Sequence, residues 1–406
     1  MTAVVDESRI GAAGFAGRQD LRVELGSPQS LREDWERLLP LARTRNVFVS
    51  WHFLCTWWEH FQREREPRCF VVREGARAVA IVPLYLEQLD SRVGTVCVLR
   101  NVGYGDVVNP DFLDALVESG REQEVARALA PYVLAEPWQL AEFSELEDDG
   151  SLTRMAAQWR AMGAVEVRSE PRSVCPYIPL PESLDAYLAS RGSHFRQQLR
   201  RYRRVIEREL GVEWRRVGVD VDAQTGIELL ARLHQERMEA SGRGGNFRKE
   251  DYANFHRDLA ARLAEAGELY FWVLFIEGLP GASHYGFLHD GVYYGYQMGF
   301  TPHYERYSIG HYMTGVVLHK LIEEEGAREM NLLRGSDPWK FRWTSHARTT
   351  RALWMLRPGL RGRWAWLQRT LSQSPALVLR SLVGRDNFDE LRGAMRLFSG
   401  RRPRGA

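Results

Sequence analysis

The sequence predicts a mixed α/β fold in two related halves. Each half is a mixed sheet built on an antiparallel meander and flanked by helices, and a basic helical tail follows the second. Three observations carry this expectation. A chain of 406 residues with 44% hydrophobic content is too long for one ordinary core and suits two. Each half contains three consecutive runs rich in β-branched and aromatic residues, separated by turn dipeptides. Between the halves, Pro176, Pro179 and Pro181 exclude a helix and predict an extended linker. The division is then a disordered arm over residues 1–19, a first half over 20–175, a second over 176–358 and a tail over 359–406.

The first half opens with a strand at 21–25 and an amphipathic helix over 30–41 that Ser30 caps. The run 50–61, holding Trp51, Phe53, Trp57 and Trp58, predicts an aromatic helix. Runs at 68–73, 78–86 and 96–99, punctuated by Glu74-Gly75 and by 91–94, predict the first meander. Two helix-and-strand pairs follow over 122–167, with Gly163 stopping the second helix. In the second half, helices are expected at 184–190 and 193–210, then a strand at 212–217. Helices over 222–240 and 252–266 enclose a glycine-rich loop. Strands at 269–277, 280–289 and 291–299 form the second meander, hinged by Glu277-Gly278 and Asp290-Gly291, the latter a strong hairpin signal. A helix over 308–326, a short buried strand at 329–333 and a last strand at 349–356 complete the half. The shared order predicts an internal duplication.

Composition narrows the function. The formal charge is +2, and only Lys249, Lys320 and Lys340 among the 55 Lys and Arg residues are lysine. Arginine is therefore the default surface cation, so an arginine cluster is a weak sign of nucleic-acid binding and a retained lysine an informative one. Cys55, Cys69, Cys97 and Cys175 are too scattered for a zinc site, so no metal is expected, and they read as reduced thiols of a cytoplasmic protein. Residues 1–19 lack the apolar core of a secretory signal, and no apolar run approaches the roughly 20 residues that span a bilayer. Residues 357–406 carry eleven arginines against three acids, with helical stretches at 364–372 and 387–398. They read as a surface helix and basic tail, with RNA as the rival partner.

Four segments could carry chemistry. The helix over 193–210 has an apolar stripe of Phe195, Leu199, Tyr202, Ile206 and Leu210, with six arginines on its remaining surface that are solvated or receive phosphates. The loop Ser241-Gly242-Arg243-Gly244-Gly245-Asn246-Phe247 allows close backbone approach, and Arg243 could hold an anion there. The stretch Tyr304-Glu305-Arg306-Tyr307-Ser308-Ile309-Gly310 leads into a helix capped by Ser308, whose free amides suit a pyrophosphate. The densest cluster, Asn331-Leu332-Leu333-Arg334-Gly335-Ser336-Asp337-Pro338-Trp339-Lys340, follows a buried strand. Charges packed among aromatics there make a partly dry pocket. Lys340 is its candidate for stabilising a developing oxyanion.

These motifs, together with Tyr293-Tyr294-Gly295-Tyr296, resemble the CelD/BcsL-type acetyltransferases, well over 177–356 and more loosely over 47–85 and 103–113. That family belongs to the GNAT superfamily and is related in fold to the Fem peptidoglycan aminoacyltransferases, which pair two GNAT-like domains. The resemblance implies transfer of an acyl group from acyl-CoA to the amine of a small-molecule or glycan-precursor acceptor. The donor would lie against the splayed end of the strand at 291–299, with its phosphates held by Arg306, Ser308, Ile309 and Gly310. The usual phosphate loop is reduced here to residues 306–310, so aminoacyl-tRNA, the donor of the Fem enzymes, is the rival. No Cys/His or Ser/His/Asp constellation is evident, which predicts direct attack without a covalent intermediate. Lys340 would stabilise charge and Asp337 or His284 would remove the proton. Tyr294, Tyr296, Gln297 and Trp339 would shape the acceptor pocket, with Arg243, Phe247 and Arg334 as further substrate contacts. The alternative from another class is a non-catalytic module that binds a glycan precursor in exopolysaccharide biosynthesis.

Overall fold

The computed structural model of the protein describes residues 21–91, 94–105, 108, 110–242 and 244–373. The predicted arm and the helix expected at 387–398 lie outside them. The first half runs β1 (Leu21–Gly26), α1 (Arg32–Leu38), α2 (Trp51–Phe61), β2 (Glu66–Glu74), β3 (Arg77–Ser91), β4 (Gly94–Asn101), β5 (Leu116–Val117), α3 (Glu122–Ala135), β6 (Leu140–Leu146), α4 (Ser151–Ala161) and β7 (Glu166–Pro179). The second runs α5 (Leu184–Ala189), α6 (Ser193–Glu209), β8 (Val212–Arg216), α7 (Ala223–Ala240), α8 (Glu250–Glu265), β9 (Leu269–Ile276), β10 (Leu279–His289), β11 (Val292–Phe300), α9 (Ile309–Glu323), β12 (Glu329–Asn331), α10 (Pro338–Phe341) and β13 (Ala347–Leu356). Helix α11 (Leu360–Gln373) ends the described chain.

The strands form one continuous sheet in the order β1-β2-β3-β4-β6-β13-β7-β12-β11-β10-β9-β8, with β5 beside β3. The predicted mixed α/β architecture is present, and both meanders are. Each meander ends on a strand that a later one joins in parallel: β6 on β4, and β12 on β11. The halves then exchange their last strands. β13 inserts between β6 and β7, while Tyr177, Ile178 and Pro179 of β7 pair with β12. The proline-rich segment expected as a linker is thus extended, but as paired strand. Its prolines forbid helix without forbidding a strand end.

Local chemistry explains most of the elements. Both hairpin turns of the second meander take positive φ at two successive residues, +51° and +78° at Glu277 and Gly278, and +46° and +68° at Asp290 and Gly291. That is the twist a two-residue antiparallel turn requires. Ser50 accepts from the amide of Phe53 and starts α2, and Asp222 accepts from that of Thr225 and starts α7. The helix expected to begin at Ser30 is instead entered through a short 3₁₀ turn, Pro28–Leu31, whose cap is Ser27. Helix α9 stops at Glu323, and α11 begins at Leu360, ahead of the predicted 364.

The aromatic helix α2 joins the halves. Phe53 meets Phe255 of α8 edge-on with centroids 5.5 Å apart, and Arg262 donates to Glu59 at 2.6 Å. One apolar cluster runs from Trp35 and Trp57 of the first half to Phe271 and Tyr285 of the second. No helix among the described residues is long and apolar enough to cross a membrane.

Candidate active site

Strand β11 pairs with β12 only over Val292, Tyr293 and Tyr294, and beyond Asn331 the two chains part. On its other edge, β11 slips register against β10 between Tyr285 and Gly286, which leaves Tyr296 as the extra, bulged residue. The seam opens into a cavity of about 860 Å3, lined by β11 from Gly295 to Met298, by the start of α9, and by the loop that carries Leu333, Arg334 and Lys340.

The charged wall of the cavity is built from both halves. Asp111, from the loop before β5, accepts from the backbone amide of Arg334 at 2.8 Å and lies 2.7 Å from its Nε. Arg334 also reaches Glu145 at 3.2 Å. Burial pushes the Asp111 carboxyl up to about 6, against the opposing pull of Arg334. Lys340 is 6% exposed, and its Nζ donates to the carbonyls of Leu333 at 3.0 Å and Arg334 at 2.5 Å. An ammonium has three donors, so two fix the loop and one remains. Burial lowers the pKa of Lys340, opposed by the charges of Asp337 and Asp111. Gly335, at φ +120°, lets the loop wrap this ammonium: a Cβ there would sit 2.9 Å from Oδ2 of Asp337 and 3.3 Å from Nζ of Lys340.

His284 and Tyr293 form a buried pair on β10 and β11, with Nδ1 and Oη 2.7 Å apart. Burial depresses His284 to about 4, so the ring is neutral at pH 7. Gly286 makes room for the pair, because a Cβ there would lie 2.3 Å from Oη of Tyr293. Behind Tyr296 stands an aromatic cage. His256 is fully buried, lies 4.4 Å from Tyr252 and 4.9 Å from Tyr296 between ring centroids, and shares a hydrogen bond with Tyr285 at 3.2 Å.

At the start of α9 the expected cap is absent. Ser308 sits at φ +56° with no side-chain cap, because a 3₁₀ turn, Pro302–Tyr307, delivers the chain in a left-handed step and not in the extended conformation that capping needs. The carbonyl of Ser308 takes the amides of His311 and Tyr312. Those of Ile309 and Gly310 belong to the first turn, which has no intrahelical acceptors.

The cavity brings together Lys340, Asp337, His284, Ser308, Ile309, Gly310, Tyr296, Gln297, Arg334 and Trp339. Three other predicted residues stand apart. Arg306 stacks on Tyr307 with its guanidinium carbon 4.9 Å from the ring, on the exposed side of the turn. Tyr294 is buried in the core against Phe48 at 5.4 Å; the bulged Tyr296 also reaches Phe48, at 6.4 Å, and lines the cavity as well. Phe247 lies behind Tyr252 at 5.0 Å. Arg243 falls outside the described residues. Sequence reasoning missed Asp111, Arg237, Tyr252 and His311, which also line the cavity. For Asp111 the only signal was the loose likeness at 103–113.

Residues 193–341 match the family model described as acetyltransferase (GNAT) domain. The match covers α6 through α10, and so the whole β11–β12 seam. No curated protein sequence matches the chain. Among solved structures, FemX is similar at 12% identity and a TM-score of 0.60, over 85% of this chain and 99% of FemX. L-PGS from Bacillus licheniformis is similar at 15% identity and 0.50, over 84% of this chain and 97% of that one. The C-terminal domain of a putative lysylphosphatidylglycerol synthetase from Agrobacterium fabrum is similar at 12% and 0.50, over 85% and 97%. At these identities the likeness is one of fold. Among the described residues no group of three or more His, Cys, Asp or Glu could hold a metal ion.

Proposed function

We propose that the protein is an N-acyltransferase that moves an acyl group from acyl-CoA to the amine of a small-molecule or glycan-precursor acceptor. One observation carries the reading: the β11–β12 seam places a helix start and a cluster of buried Asp111 and Lys340 with half-buried Arg334 on the walls of a single cavity. The amides of Ile309 and Gly310 would hold the donor pyrophosphate. The backbone of β11 beyond Tyr294, free of β12, would hold the donor's amide arm.

The acceptor nitrogen attacks the thioester carbon directly, a C–N bond forms, and the C–S bond breaks. The remaining N–H of Lys340 and its positive charge meet the developing oxyanion. The nitrogen loses its proton to a carboxylate, and the thiolate that leaves takes up a proton. Asp111, at about 6, is poised for this role near neutral pH, whereas His284, at about 4, is a weak base there. Asp337, beside Lys340, is the further acceptor.

A second reading, aminoacyl transfer from tRNA as in the Fem enzymes, has its own support. Arg200, Arg201, Arg204 and Arg208 of α6 are exposed, and none has a carboxylate partner among the described residues, while Arg203 pairs with Glu207 at 3.0 Å. Tyr202 of the same helix stacks on His311, a cavity residue, with centroids 6.0 Å apart. Native mass spectrometry and thermal-shift titration against acetyl-CoA, longer acyl-CoAs and charged or uncharged tRNA separate the readings. Saturable stabilisation by a CoA thioester, weakened in Gly310→Ala, is expected. Binding to charged tRNA alone, steeply salt-dependent, would replace the donor. Binding to neither would leave a non-catalytic module.

A further inference from the structure

His284 and Tyr293 lie at the point where β11 and β12 part. Gly295 is the first residue of β11 beyond the pairing with β12, and a Cβ there would sit 3.5 Å from Cε1 of His284 and 3.6 Å from the carbonyl oxygen of Asn331. The missing side chain leaves an edge of the imidazole toward the seam. His284 is 5% exposed and lines the cavity, so that small exposure opens into the cavity.

Hydrogen bonding fixes the protons of the pair. Tyr293 is fully buried, and burial raises its pKa, so the hydroxyl keeps its proton. Among the described residues its one hydrogen-bond partner is Nδ1 of His284, at 2.7 Å. A buried O–H that is not donated bears its full desolvation penalty, so Tyr293 donates and Nδ1 accepts. Burial alone depresses His284, which is therefore neutral at pH 7. A neutral imidazole whose Nδ1 accepts carries its proton on Nε2. That nitrogen has no partner among the described residues and, unlike Nε2 of His256, is not closed off in the interior. In this tautomer Nδ1 is engaged and Nε2 is protonated, so the ring offers the cavity a donor and no lone pair. The proton-removing role expected of His284 from the sequence does not fit it.

We propose that Tyr293 positions His284 as a neutral Nε2–H donor to a carbonyl oxygen of the acyl donor in the seam. The ligand rests on the acyl-transfer reading; the tautomer does not. On the acyl carbonyl the bond would strengthen as the oxyanion develops, whereas on the donor's amide arm it would serve binding alone.

The test starts with the wild-type full chain carrying isotope-labelled histidine, read by nitrogen NMR without donor, with His284 assigned by its loss in His284→Gln. An Nε2–H ring unchanged from pH 8 to pH 6 is expected. A ring protonated on Nδ1, or on both nitrogens at pH 6, overturns the proposal and leaves the acyl-transfer reading standing. Transfer kinetics follow. His284→Ala should lower kcat/KM roughly tenfold to a hundredfold, and His284→Gln, whose amide donates from near the place of Nε2, should recover most of it. Tyr293→Phe, which frees the tautomer, should fall between them. A loss in kcat puts the bond on the acyl carbonyl, and a rise in KM for the donor puts it on the amide arm. Equal rates in the Ala and Gln variants, with melting temperatures at the wild-type value, overturn the proposal. So does a rate that no longer rises with pH through about 6 in His284→Gln, which would make the ring the base. An Nε2–H ring in a chain that turns over no CoA thioester would strike the acyl-transfer reading instead.

Discussion

In the C-terminal half, β11 and β12 pair over three residues and then part around a cavity of about 860 Å3; in the N-terminal half, β4 and β6 also pair over three residues, yet the space beyond is about 260 Å3. The topology is the same and the filling is not. Arg100 lies across the N-terminal seam, ion-paired to Glu87 and, at 2.8 Å, to Glu142, which also accepts from Arg369 of α11. β3 and β4 run in unbroken register from Leu84 and Asn101 to Ser91 and Gly94, whereas β10 and β11 carry the bulge at Tyr296. A parallel strand added to a meander makes a seam wherever it occurs. The second seam, with its bulge, opens into the larger cavity; the first, crossed by Arg100, does not. Arg334 lines both cavities, and the loop from the first half sends Asp111 into the second, so strand exchange has coupled the two.

The comparison breaks first at Lys340. Lys340→Ala is expected to cut acyl transfer on the order of a hundredfold or more, while Tyr104→Phe in the N-terminal cavity should leave the rate within about twofold. Equal losses from both would mean that the two seams act together. A comparable effect is expected from Asp111→Asn. Transfer by the wild type should rise with pH through about 6 as the carboxylate forms, and that limb should vanish in the variant.

Acid stability separates the halves next. His234, His256 and His284, all in the second half, are held by burial at about 4, 3 and 4, below their ordinary 6.5. The unfolded chain therefore takes up their protons first, and their contribution to stability is lost as pH falls from 6.5 toward 4. Asp111, raised to about 6 in the folded state, and Glu147, raised to about 7, act in the opposite direction and offset part of this. Melting between pH 7 and 4.5 should show a net loss of stability. Hydrogen exchange at the low pH should show β10 and β11 losing protection before β2 and β3. The smallest effect is expected from Gly310→Ala. Its new methyl would meet Sδ of Met298 at an ordinary 3.4 Å, so folding should be intact while donor binding weakens several-fold.

The meanders and their hairpin turns were legible in the sequence because they depend on residues adjacent in the chain, whereas the two caps read there, Ser30 and Ser308, are not the ones the structure uses. The cluster around Lys340 was legible for a similar reason, since a lysine retained among arginines stands out in one short loop. Contacts made at a distance were not. Asp111 is one acid in a loop, and only strand exchange brings it to Arg334, 223 positions away. Tyr294 and Tyr296 share one motif and both pack on Phe48; that only Tyr296 reaches the cavity wall depends on a bulge set by β10. Ser308 read as a cap because the pattern of a serine before a helix is local. The 3₁₀ turn that forces it left-handed depends on how the meander delivers the chain.

The most direct test of the account is hydrogen exchange of the full chain with and without acetyl-CoA, read peptide by peptide. Protection that grows at residues 308–312 and along β11 beyond Tyr294, with residues 100–105 unchanged, is the predicted result. Protection confined to residues 100–105, or none anywhere at saturating donor, would contradict the claim that the C-terminal seam is the donor site.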